Sequence, residues 1–69
     1  MPLPIAPESA ELTVRKVMAD AGEKRRFESL GIYPGSKIVL LSVSGGSVIA
    51  KVCGVRLALD RSLAMKILV

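Results

Sequence analysis

One stretch, Asp20 to Ile38, constrains the fold of this chain more than any other. It reads Asp20-Ala21-Gly22-Glu23-Lys24-Arg25-Arg26-Phe27-Glu28-Ser29-Leu30-Gly31-Ile32-Tyr33-Pro34-Gly35-Ser36-Lys37-Ile38. Asp20 is an N-cap for a helix over about 20–30, with Glu23 at the reciprocal position of a capping box. Gly31 follows the last apolar helical residue, where a left-handed C-cap suits glycine. Pro34 and Gly35 fit the two central positions of a type II turn, because proline pre-sets the first φ and glycine accepts a positive second one. A strand begins at Lys37. Phe27 and Leu30, three apart, share the apolar stripe and are read as core together with Ile32. The triplet Lys24, Arg25, Arg26 then occupies the other faces.

The rest of the chain reads as short strands. Pro2, Pro4 and Pro7 make Met1–Ser9 a proline-rich N-terminal arm, extended, with Leu3 and Ile5 tacked onto the body. Leu12 to Met18 reads as a first strand. In it Leu12 and Val14 face one way and Thr13, Arg15 and Val17 the other, and Lys16 interrupts the pattern like an edge or a bulge. Lys37 to Val43 is almost continuously aliphatic, as in a strand covered on both faces. Ser44-Gly45-Gly46-Ser47 is a hairpin loop. Val48 to Cys53 turns Val48, Ala50 and Val52 to one side, and Cys53 reads as a small buried hydrophobe. Gly54 marks a turn or a bulge, Val55 to Leu59 is a fourth strand, and Asp60 caps a turn or a single helical turn. Met65 to Val69 is a closing strand. Five short strands so closely spaced predict a mainly β fold, a small five-stranded barrel with one short inserted helix, in a single domain over 1–69. Such a barrel is filled by its own side chains, so function belongs on the outside.

Composition narrows the chemistry. A chain of 69 residues with no histidine and one cysteine has neither an internal disulfide nor the usual Cys/His zinc site, and no His-based general base or triad. No acid pair converges and the glycines do not form a phosphate loop, so no catalytic residue, metal ligand or cofactor is assigned and the chain is read as a non-enzyme. No apolar run is long enough to insert in a membrane, and no signal peptide is evident, so a cytoplasmic location is expected. Arg15 and Lys16 are outnumbered by Glu8, Glu11, Asp20 and Glu23, so all of the net charge of +4 arises from Lys24 onward. That basic excess could meet nucleic acid, an anionic membrane surface or an acidic protein face. The only aromatics are Phe27 and Tyr33, too few for a base-stacking surface or a proline-peptide groove, so nucleic acid is not the expected partner. A nucleic-acid-binding barrel or another small adaptor stands as the alternative reading. Tyr33, before Pro34 in an exposed turn, is read with Lys24, Arg25 and Arg26 as a partner-binding face.

Two blocks carry a family resemblance. Arg25 to Ile38 resembles the RRL-x-x-LG-[IL]-x-PG-x-x-[IV] signature of the FeoA family, ferrous iron transport protein A. Gly54 to Val69 resembles that family's G-x-x-[LI]-A-L-x-x-x-x-A-x-x-I-x-V ending, with Leu57, Leu59 and Ala64 at its fixed positions. Phe27 stands where leucine is usual, and Asp60 where a basic or small residue is common. Glu8-Ser9-Ala10-Glu11 occupies a region where the family often has a glycine. The resemblance implies an SH3-like barrel, a fold also found at the C-terminus of iron-dependent repressors. It also implies a cytosolic accessory role in bacterial ferrous iron uptake, beside a membrane permease with a GTP-binding domain. Transition-metal association at the family level would mean transport rather than ligation within one chain, or a site shared between chains. The apolar closing strand could pair weakly with a second copy.

Overall fold

Each element of the computed structural model, which describes residues Met1–Val69, follows from a local rule that its neighbours either support or override. At the start the neighbours override. In place of an extended arm, Leu3–Ile5 form a 3-10 turn. With about three residues per turn, Leu3 and Ala6 fall on one face. That face is buried, whereas Ile5, expected against the body, is 63% exposed. Pro2 bridges to Leu68, and the amide of Val69 donates to the carbonyl of Met1 at 2.8 Å.

The first predicted strand is two pieces, β1 (Glu11–Thr13) and β2 (Lys16–Val17). Between them the chain changes sheets. The Val14 amide donates to Ser36 O at 2.8 Å, and the Arg15 amide donates to Leu68 O at 2.7 Å. The half-turn at the crossing, beside the irregularity marked by Lys16, buries Val14 and Val17 alike. Strict alternation would have put them on opposite faces.

Helix α1 spans Ala21–Ser29, capped by Asp20, whose Oδ1 accepts from the Glu23 amide at 2.8 Å. The reciprocal half of the capping box is not made. The Glu23 carboxylate reaches instead to Lys66 Nζ, 2.9 Å from both oxygens, forming the one ion pair of the molecule. The helix ends in a Schellman motif. The Ile32 amide donates to Phe27 O and the Gly31 amide to Glu28 O, with Gly31 at φ +89°, and Ile32 packs with Phe27 in the core.

Strand β3 (Lys37–Ser44) is followed by β4 (Ser47–Val52) and β5 (Val55–Asp60), then helix α2 (Arg61–Ala64) and β6 (Ile67–Leu68). An antiparallel sheet runs in the order β1-β3-β4-β5, and β2 pairs with β6 in a second. β3 is not covered equally on both faces. Ile38 and Leu40 are fully inside while Val39 and Leu41 are half-buried. Leu41 is the extra residue of a bulge, since Leu40 pairs with Ala50 but Ser42 with Ile49. Gly45-Gly46 makes the tight β3–β4 turn. Cys53-Gly54 makes the next one, with positive φ at both residues as a type I′ turn requires. Cys53 is therefore exposed at a loop tip, not a buried hydrophobe. One core joins the two sheets, α1 and the N-terminal turn. It contains Leu3, Phe27, Ile32, Val48, Ala50, Val52, Leu59, Ala64 and Ile67.

Candidate functional site

Successive helix residues are turned by about 100°, so three adjacent cations cannot share one face. Lys24, Arg25 and Arg26 are all exposed, but they divide among three directions. Lys24 lines a groove with Lys16, Val17, Glu28, Ile32, Tyr33 and Pro34. Arg26, on the opposite flank, lines an apolar groove with Phe27, Leu30, Leu59 and Leu63. Arg25 lies between and borders neither. Lys24 and Glu28, one turn apart, form no ion pair, leaving both free towards solvent.

Tyr33 is 47% exposed and rigidly held. Its amide donates to Ser36 Oγ at 3.1 Å, and that hydroxyl donates back to Tyr33 O at 2.8 Å. The Ser36 amide closes the Pro34-Gly35 turn on Tyr33 O at 2.9 Å, and the Gly35 amide donates to Val14 O at 2.8 Å. Gly35 has φ +95°, as the second central position of a type II turn requires. A half-exposed ring on a turn fixed by four hydrogen bonds loses little entropy on binding.

The structure thus brings Tyr33 and Lys24 together, leaves Arg25 outside the groove, and sends Arg26 elsewhere. It adds Lys16, which the sequence reading had only as an interruption in a strand. That interruption was the available signal, because a charge inside an alternating run marks a place where the strand leaves its sheet. Leu30, read as core, is 41% exposed. It is the C-cap residue, beyond the last turn that packs on the sheet. Among the remaining motif residues Phe27, Leu59 and Ala64 are buried, Leu57 and Gly31 are half-buried, and Pro34 and Gly35 are exposed. No three Cys, Asp or Glu side chains come together anywhere in the molecule. No helix is long and apolar enough to cross a membrane.

A mainly β domain, with sheets wrapped round one small core, a helix inserted between strands and its free charge in open grooves, is an SH3-like module. The FeoA domain model matches residues 1–69, and the chain belongs to that family. It is 41% identical over 68 residues to a protein of Methanocaldococcus jannaschii provisionally named Fe(2+) transport protein A, covering 99% of this chain and 83% of that one. Among solved structures, the iron uptake regulatory protein FeoA superposes with a TM-score of 0.87 at 25% identity, over 97% of this chain and 91% of the other. The FeoA of Stenotrophomonas maltophilia superposes with a TM-score of 0.82 at 26% identity, over 99% and 87% of the two chains. That protein was crystallised with zinc and is described as a prokaryotic SH3 domain protein and a candidate activating factor of bacterial ferrous iron transport.

Proposed function

We propose that this chain is a cytoplasmic accessory protein of ferrous iron transport that acts by docking on the cytosolic part of a membrane ferrous iron permease, at or near its GTP-binding domain. The match to the FeoA domain over all 69 residues carries the transport role. The docking surface is the groove flanked by Lys24 and Tyr33, with Lys16 across it and Arg25 next to Lys24 on the same helical turn, just outside the groove; Arg26, on the opposite flank, is not part of it. It supports the reading because an anchored, half-exposed aromatic beside unpaired cations fits an acidic protein face. Bound there, the domain would favour one conformational state of the permease. It needs neither a cofactor nor chemistry of its own to do so.

The test is ferrous iron uptake in cells whose only copy carries Lys24→Glu with Tyr33→Ala, and separately Arg25→Glu with Arg26→Glu, at verified protein level. The groove pair is expected to lower uptake to that of a full deletion, and the arginine pair to lower it part-way. Normal uptake in both, where the deletion is defective, moves docking off this helix. Normal uptake in the deletion itself refutes the transport role.

A further inference from the structure

β5 is the outer strand of the larger sheet, paired only with β4. The two-residue turn at Cys53-Gly54 makes Val52 and Val55 the closing hydrogen-bonded pair, and the register then runs unbroken through Ala50–Leu57 and Val48–Leu59. By antiparallel alternation Val55, Leu57 and Leu59 spend their backbone groups on β4, while Arg56 and Ala58 turn theirs to the free edge. No backbone bond from a turn, loop or cap reaches Arg56 or Ala58. Exposed strand edges are usually blunted by proline, an inward charge or a bulge. β5 has none of these.

The side chains along this edge are self-complementary. Arg56, Ala58 and Asp60 are exposed on the outer face, and Arg56 has no ion-pair partner. An antiparallel two-fold pairing centred on Ala58 sets Ala58 against itself and Arg56 against Asp60 of the second copy, at both ends. The same register puts in contact the residues whose backbone groups already point outward. On the inner side it sets Leu57 opposite Leu59 of the second copy, beside the apolar groove bordered by the exposed Leu30. A shift of one residue either way breaks this agreement. Methyl groups at the centre keep the close approach of the two edges free of bulk.

We infer that β5 is a homotypic docking edge, through which two copies of this chain pair antiparallel into one continuous sheet. So short an edge falls at the small end of interface sizes, so the association is weak and concentration-dependent.

Sedimentation of the whole chain over rising concentration tests this, with thermal melts to verify folding. Ala58→Pro removes the central edge donor and leaves the β4 ladder intact, because the lost amide faces outward. It is expected to weaken association by at least about tenfold. Arg56→Asp places like charges opposite each other and should also leave the chain monomeric. Mixing Arg56→Asp with Asp60→Arg makes both cross-pairs complementary and should restore association as a hetero-pair. A wild-type chain that stays monomeric at every concentration overturns the inference. So does association that survives Arg56→Asp unchanged, or a mixture that fails to associate while each variant melts normally.

Discussion

Gly31 shows at the scale of one residue how a motif position becomes an energy. Its φ of +89° is costly for any side chain, and a Cβ there would lie 3.0 Å from Val52 Cγ1 and 3.4 Å from Cys53 Sγ. Gly31→Val adds backbone strain to a clash with a core residue, and should lose about 2 to 4 kcal/mol in urea unfolding. An unchanged midpoint would show that the C-cap carries no strain. Gly31 was legible in the sequence because a glycine after an apolar helical residue has few other uses. Leu30 and Cys53 were misread for the opposite reason. Each continues a periodic pattern one step past the point where its element ends, and periodicity does not mark its own end. Ser36 gave no signal, since nothing local says that a serine after a Pro-Gly turn will hold the preceding tyrosine from both sides.

Among the elements, α1 was legible because its signals lie within the helix itself. Asp20→Ala removes the bond to the Glu23 amide and should cost about 1 kcal/mol, read as a lower midpoint with unchanged slope. Glu23→Gln tests the pair that the sequence could not reveal, since Lys66 lies in the loop before β6 and meets the helix only through the fold. Both side chains are about one-third exposed, so the loss should stay below about 1 kcal/mol and shrink further at high salt. A larger, salt-insensitive loss would mean that Glu23 supports the helix start in another way. Hairpins β3–β4 and β4–β5 were likewise written in their turns. The division of the first strand was not, because it depends on Ser36 and Leu68, which the chain brings to Val14 and Arg15 from far along the sequence.

For the whole molecule, the barrel class was legible from strand spacing and aliphatic content, and the candidate surface only in part. That three adjacent cations diverge was implicit in helix geometry. Which flank meets Tyr33 required the fold, which carries Lys16 across to face Lys24. Likewise, the N-terminal turn is integral to the core. Leu3 is wholly buried, and its turn sits beside β3 and α2. A domain of this size has a total stability of only about 3 to 10 kcal/mol. Leu3→Ala removes a fully buried aliphatic group and leaves a cavity, a loss of about 2 to 5 kcal/mol. This one change far from the proposed docking groove should therefore consume a large share of the stability. It should broaden amide exchange across both sheets, because the turn sits against β3 of one sheet and Pro2, just before it, bridges to Leu68 in the other. Ile5→Ala, two residues on and mostly exposed, should shift the midpoint by no more than about 0.5 kcal/mol. Equal losses from the two substitutions would mean that both residues are packed, against the burial difference between them. Equal indifference would mean that the segment is an appendage and that the core closes without it.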